Sequence, residues 1–441
     1  MNGHPFSARW SYLVVLALGS ACPPPPVVTP EPDAGDVQQV LDAGSESSDA
    51  GTDAGTMKGP FVAGSRPGGP MPGELTYWQL DLPVGLVPKT GEAGILVGPD
   101  GTVVLIDVGN SNHDDDVVDA VRELNTQWLT PARGYRQRGE LEVDWVLLTH
   151  FHADHIGAFD SLAASLTITR GVVHRGFVDV GAGTNASDFT AMCNRLQGSL
   201  ASKNVSLCTA SPDSACTIST RAPATSCAGL TRGDLSRADD DAQGDPSFIA
   251  LGSGARLELL GANGFVLQGR TPVSAPAFGV TDTNEENARS LVGVVTHGAF
   301  RFLFAGDLSG SGQPTEPDVE SFVVASAPSV FGTLGVDVTH ANHHARKTSS
   351  NATWVQAAAP NDGRVRHAIA GINAAYVNSP HQETLDAWSS LGPSRFVVTR
   401  RAPAAGVSPV LVDVAGRVVL QTVQGGDGYW VQTWATASLR R

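Results

Sequence analysis

Positive charge is scarce in this chain: 29 Lys and Arg stand against 44 Asp and Glu, a formal net charge of −15. Such a field repels polyanions and argues against broad nucleic-acid binding. Long apolar runs are scarce too. The run Tyr12–Leu18 falls short of the roughly 20 residues that a bilayer span needs. The five cysteines form no C-x-x-C knuckle, so a zinc site built from thiolates has little support. Apolar residues still make up 41% of the chain, enough for a sizeable core. The 49 glycines suit a fold with many tight turns.

Residues 1–21 read as an export signal. Arg9 precedes the short apolar run, and Gly19, Ser20 and Ala21 lead into Cys22, a pattern that resembles a bacterial lipoprotein signal. The expectation is an extracytoplasmic protein, lipid-anchored to a bacterial membrane through Cys22, with plain secretion as the alternative. Residues 22–73 carry a Pro run and repeated Asp-Ala-Gly triplets. They lack the apolar surface to offset chain entropy and read as a tether. The remaining cysteines, Cys193, Cys208, Cys216 and Cys227, are even in number and close together, which suits two disulfides in an exported protein. Three pairings are open, with a four-thiolate zinc site as the rival.

From Glu74 the pattern is strands, glycine turns and a few helices, one domain over 74–425 with an insertion at about 181–247 and a C-terminal tail at 426–441. Leu75–Leu82, Gly94–Val97, Thr102–Val108 and Trp145–Thr149 read as strands. Asp115–Leu124 is an amphipathic helix with Val117, Val118, Val121 and Leu124 on one face. Later strands are expected at 255–260, 290–296, 300–304, 336–339, 396–399 and 410–414, with a helix at 156–165 and another at 384–391. The insertion holds the four cysteines and the run Asp239-Asp240-Asp241 and reads as loop.

The strongest signal is Thr149-His150-Phe151-His152-Ala153-Asp154-His155-Ile156-Gly157. Two His at i and i+2, leaving a strand, project to one side. Asp154 and His155 follow where the chain turns into a helix. Imidazoles and a carboxylate at this density suit zinc, or manganese where oxygen ligands predominate.

This HxHxDH run resembles that of metallo-β-lactamase superfamily enzymes. The resemblance implies an α/β fold of four layers, the αβ/βα metallo-β-lactamase sandwich, with two divalent metal ions, zinc before manganese. It implies that His150 and His152 bind one metal, that Asp154 and His155 bind the second, and that Asp307, in the strand-ending Phe304-Ala305-Gly306-Asp307, bridges them. The block Thr339-His340-Ala341-Asn342-His343-His344-Ala345-Arg346-Lys347-Thr348-Ser349-Ser350 is similar to the His-His-Gly-Ser-x-x-Ser loop of ComEC-type domains. On that likeness His343 closes the second metal and His344 lies beside the reacting group, while Ala345 stands in place of Gly. Leu105-Ile106-Asp107-Val108-Gly109 fits the family's early Asp-x-Gly turn. Asn373–Leu385 resembles the family's Asn-x-Tyr-x-His-Pro-His segment, with Ser379 at the first His position and His381 at the second.

One departure stands out. Lactamase-type members place a His before the strand leading to Gly-Asp, whereas residues 283–290 here read Thr-Asn-Glu-Glu-Asn-Ala-Arg-Ser. The first metal therefore lacks a nitrogen ligand in the sequence pattern and is expected to bind more weakly. Asp282, Glu286 and Asn287 are oxygen-bearing substitutes, and His174 is a remote alternative. His113, His297 and His367 read as core or surface residues.

The resemblance implies a hydrolase in which the metals lower the pKa of bound water from about 15.7 towards 7, giving hydroxide. Asp154 and His344 are its candidate catalytic residues. Lys347 and Ser349 are candidates to meet an anionic substrate. A small-molecule or phosphodiester substrate is expected, with phosphodiester hydrolysis first. Carboxylic ester, lactone or lactam hydrolysis is the alternative, and a metal-binding surface protein with little turnover a second.

Overall fold

The computed structural model describes residues 68–84, 88–177, 183–209, 216, 226–237, 247–275, 286–313, 316–391 and 394–434. The signal and nearly all of the tether lie outside the described residues, as do Asp282 and the run Asp239–Asp241. No helix among the described residues is long and apolar enough to cross a membrane.

The first sheet is built from β1 (Thr76–Gln79), β2 (Gly94–Val97), β3 (Val103–Ile106), β4 (Glu142–Leu148), β5 (Thr167–His174) and β6 (Asn204–Ser206). The second sheet holds β7 (Phe248–Gly252), β8 (Ala255–Ala262), β9 (Phe265–Gln268), β10 (Thr271–Ser274), β11 (Val292–His297), β12 (Phe300–Phe304), β13 (Val338–His340), β14 (His367–Ala370), β15 (Arg395–Val398) and β16 (Leu411–Asp413). The chain then returns to the first sheet through β17 (Arg417–Thr422) and β18 (Tyr429–Trp434). Among the described residues the first sheet has the order β18-β17-β1-β2-β3-β4-β5-β6. The second runs β10-β9-β8-β11-β12-β13-β14-β15-β16, with β7 also on β8. Each sheet joins an antiparallel half to a parallel half.

Strand periodicity explains the layers. In β4, Trp145 and Leu147 join the cluster between the sheets, whereas Val146 and Leu148 join the outer one, as alternation across a pleat requires. Val143 joins the outer cluster because the register shifts between it and Trp145. The inner cluster sets Leu96, Val104 and Leu147 against Leu257, Val295, Phe302, Ile369 and Val397. Outside the first sheet lie α1 (Asp114–Glu123), α2 (Ala153–Ile156), α3 (Phe159–Ser165) and α4 (Ala186–Gln197), contributing Val117, Ile156, Phe159 and Met192. Outside the second lie α5 (Val319–Ser326), α6 (Pro328–Phe331), α7 (Ala352–Ala358) and α8 (Gln382–Ser389), contributing Val323, Phe331, Trp354 and Trp388. The result is helix, sheet, sheet, helix, the four-layer sandwich expected from the sequence.

Three segments differ from expectation. The helix expected over 156–165 is split into α2 and α3, because Gly157 and Ala158 form a bend between them. The insertion is not all loop: Asn185 caps α4 by accepting from the Ser187 and Asp188 amides, and β6 extends the first sheet. Residues 426–441, read as a tail, include β18, which pairs antiparallel with β17, itself the neighbour of β1. The cysteines pair as Cys193–Cys216 and Cys208–Cys227. That choice among three pairings depends on which chain segments meet and has no local sequence signal.

Candidate metal centre

The centre forms where strands of both sheets end. His150 and His152 follow β4, Asp154 and His155 lie in the first turn of α2, Asp307 follows β12, and His343 and His344 follow β13. Asp307 is buried at the middle. Its carboxylate lies 3.7 Å from His150 Nε2, 3.3 Å from His155 Nε2, 3.9 Å from His343 Nε2 and 3.3 Å from His344 Nε2. His152 Nδ1 is 3.2 Å from His150 Nε2. Asp154 Oδ2 is 3.5 Å from His344 Nε2.

Local backbone chemistry sets up this convergence. Gly306 has φ +52, and a Cβ there would lie 2.7 Å from Thr149 Oγ1. Both facts require glycine before Asp307 and explain the Gly-Asp pair physically. Gly183 brings backbone close to His152, where a Cβ would come within 2.6 Å of Nε2. His343, His344 and Ala345 adopt φ of 50, 51 and 59. Three successive left-handed residues without glycine cost roughly 1–2 kcal/mol each, and such strain gathers at functional sites. Here it aims the Nε2 atoms of two adjacent imidazoles at Asp307 Oδ2. Ala345→Gly should leave stability within about 1 kcal/mol, because strain relief is offset by lost methyl burial and added chain entropy. Ala345→Val should cost more than about 2 kcal/mol, because a branched side chain is poorly tolerated at positive φ. Urea midpoints of the two variants check this.

The far nitrogens of the rings are each held. His155 Nδ1 donates to Asp107 Oδ2 at 2.8 Å. Asp107 also accepts from Thr149 N and Thr149 Oγ1, both at 2.7 Å. Because that hydroxyl proton is given to Asp107, Thr149 Oγ1 accepts from His150 Nδ1 at 3.1 Å. His343 Nδ1 meets Thr348 Oγ1 at 2.7 Å. His344 Nδ1 donates to Gly371 O at 3.2 Å and lies 2.9 Å from Glu92 Oε2. Glu92 is also bound to His340. Fixing one ring nitrogen leaves the other as a directed ligand, so the Nε2 atoms of His150, His155, His343 and His344 all face Asp307.

The electrostatics call for a cation. Burial raises the Asp307 carboxyl, but His344, His155, His150 and His343 outweigh it and hold it well below the usual range. Asp154 is likewise held well below, against burial, by its hydrogen bond to His344 and the His155 charge. Burial lowers His155 and His344, yet Asp307, with Asp107 for one and Glu92 for the other, pushes both well above 6.5. Burial and the His155 charge push His150 well down. Without a cation, protons on His155 and His344 face the buried carboxylates of Asp307, Asp154 and Glu92. Asp307 Oδ1 has no hydrogen-bond partner among the described residues. Two donor groups emerge: His150, His152 and Asp307, and Glu92, His155, Asp307 and His344. Within the second, Glu92 touches the His344 nitrogen turned away from Asp307, so it orients that ring.

The expected site residues take different places around these donors. His344, rather than His343, stands with Asp154 and His155. His343 lies on the other side: its Nε2 is 3.3 Å from the Asn287 amide, and its charge field includes His152. Asn287 packs on that ring, and its buried Oδ1 has no partner among the described residues. Glu286 is turned away into a buried pair with Arg175 at 2.7 Å. His174 spends both nitrogens on Asn204 and the Gly176 amide. His381 caps α8, outside the cluster. Lys347 pairs with Glu383 on the surface at 3.2 Å, and Ser349 braces the loop through Asn342 O. Tyr376 lacked any sequence signal beyond its place in Asn373–Leu385. Its hydroxyl meets Asp154 Oδ2 at 3.2 Å, and its ring lies 4.1 Å from that of His344.

Residues 91–180 match the model of the metallo-beta-lactamase superfamily. That span holds Glu92, Asp107 and the HxHxDH segment and ends before Asp307 and the His343–His344 loop. Among solved structures, the chain is similar to the metallo-beta-lactamase fold protein YhfI from Bacillus subtilis, at 9% identity over 74% of this chain and 96% of that one, TM-score 0.33. It is similar to Tm1679, described as a metal-dependent hydrolase of the beta-lactamase superfamily, at 13% identity over 76% and 97%, TM-score 0.35. A Cronobacter sakazakii metallo-beta-lactamase matches at 16% identity over 57% and 71%, TM-score 0.27. No curated protein gives a significant match.

Proposed function

We propose that this protein is a metal-dependent hydrolase of the metallo-β-lactamase superfamily that cleaves phosphodiesters outside the cytoplasm. The observation that carries the reading is the convergence of five imidazoles and Asp154 on the single buried carboxylate of Asp307. His150, His152 and His343 with Asp307 would hold one divalent cation, zinc before manganese. Asp154, His155 and His344 with Asp307 would hold the other. Cations bound there supply Lewis acidity, polarising an acyl or phosphoryl oxygen and acidifying water.

The chain's own residues do the rest. Asp154, like His152, is a partly open member of the cluster, with an 18% exposed side chain. Held ionised, it accepts a proton or orients the attacking water. Burial and the Asp154 charge push Tyr376 well above 10, so its hydroxyl stays protonated and keeps donating to Asp154. Asp107, Thr149, Thr348 and Glu92 hold the rings in the required tautomers.

The likeness of the His343–Ser350 loop to ComEC-type domains supports a phosphodiester substrate. Arg346 and Lys347 add exposed cations to that loop in a chain of net charge −15. Two disulfides support an oxidising, extracytoplasmic setting.

The test is turnover of bis(p-nitrophenyl) phosphate beside a p-nitrophenyl ester, a lactone and a lactam, before and after chelation. Phosphodiester cleavage that chelation abolishes is expected. Turnover of the ester, lactone or lactam alone would replace the substrate and keep the hydrolase. Two bound metals with no turnover anywhere would mark a metal-binding protein.

A further inference from the structure

The loop that presents His343 and His344 is closed from behind by one side chain. Glu320, on α5, is fully buried. Its Oε1 accepts from Asn342 Nδ2 and from the Ser350 amide, both at 2.6 Å, and its Oε2 accepts from the Asn351 amide at 2.8 Å. The three donors lie at the two ends of the segment containing His343 and His344. Other braces are weaker in charge: Ser349 Oγ donates to Asn342 O, and the His343 amide donates to Gly306 O. Among the described residues no hydrogen-bond partner of Glu320 is a cation; the charged group acting on it is Asp318, which caps α5 and accepts from Asn351 Nδ2. A buried carboxylate without a counter-ion is costly. Three left-handed residues in succession are costly too.

We propose that Glu320 is a positioning residue: its carboxylate clamps both ends of loop 342–351 and so holds the strained His343–His344 pair in its metal-presenting conformation. The inference rests on the reading of His343 and His344 as ligands. A neutral leucine at 320 would carry no cost of burying charge, but it would leave three loop donors without an acceptor. The second acceptor oxygen is what the clamp needs. Glu320→Gln removes it, because the amide nitrogen then faces the Asn351 N–H.

Zinc affinity of the full chain is measured by competition with a chelator, alongside the thermal midpoint of the metal-free protein. At about pH 8, Glu320→Gln should weaken zinc roughly 10–100-fold, the range for a partner behind a ligand, with the midpoint retained. Asn342→Ala, which removes one donor and keeps the carboxylate, should act in the same direction and less. Burial drives the Glu320 carboxyl up to about 7. At about pH 6 the wild type therefore carries a proton there, and its advantage over Glu320→Gln should shrink to less than about threefold.

Wild-type affinity in Glu320→Gln at about pH 8 overturns the proposal, as does an affinity ratio that stays constant between the two pH values. If Glu320→Gln does not fold, wild-type affinity in Asn342→Ala overturns it. His343→Ala and His344→Ala are the controls. If both bind zinc like the wild type, the ligand reading has failed first. If both lose zinc while Glu320→Gln keeps it, the clamp alone is wrong.

Discussion

Asp307→Ala should abolish hydrolysis and strip metal from both donor groups. The carboxylate is shared: one oxygen lies 3.3 Å from His155 Nε2, and the other lies 3.3 Å from His344 and 3.7 Å from His150. Partners behind a ligand typically cost 10–100-fold in metal affinity. Loss of a shared ligand should exceed about 100-fold at each group. Metal content by atomic emission, with turnover on the same sample, checks this. Asp307→Asn keeps the shape and loses the charge. It should also lose most of the metal, because its four imidazole neighbours need an anion among them.

The largest effect on stability is expected at Glu286→Ala. Glu286 and Arg175 are both fully buried, with contacts at 2.7 and 2.8 Å. Glu286 Oε1 also accepts from the Phe151 amide at 2.9 Å, between His150 and His152. The guanidinium lies 4.2 Å over the Phe151 ring. Removing one partner of a buried pair leaves an uncompensated charge and costs about 3–5 kcal/mol. The double variant Glu286→Ala with Arg175→Met should recover a large part of that loss, because no stranded charge remains. Urea unfolding of the single and double variants measures the difference. Equal losses in both would mean that packing, not charge, sets the effect.

Much of the centre was legible because it is local in the chain. HxHxDH packs four donors into six residues at the end of a buried strand, and Gly-Asp follows another strand. The apolar run Trp145–Thr149 and the amphipathic face of Asp115–Leu124 are short-range patterns, so β4 and α1, like β1 to β3, are legible in the sequence. Glu92 was illegible for the opposite reason: it meets His340 across 248 residues, and a lone Glu between glycine and alanine carries no pattern. Glu320 and Tyr376 are similar cases, made functional by topology.

Which of His343 and His344 stands beside Asp154 and His155 is not legible in the sequence either. Adjacent residues in an ordinary loop give no hint of which ring faces which way. The answer depends on two successive left-handed torsions. Glu286 looked like an oxygen ligand until its partner was known, since Arg175 lies 111 residues away. The strand β17 was missed because its neighbour β1 lies at the opposite end of the domain, pairing Thr76 with Gln421.

Two proposed cations divide these donors, with His343 serving one and His344 the other. The most direct measurement is calorimetric zinc titration of metal-free wild type, His343→Ala and His344→Ala, with stoichiometry as the readout. Two zinc ions per wild-type chain and one tight zinc in each variant are expected. The ion lost from His343→Ala should be the one that His150→Ala also loses, and the ion lost from His344→Ala the one that His155→Ala loses. A single zinc in the wild type, or two tight zinc ions retained in His343→Ala, would contradict it.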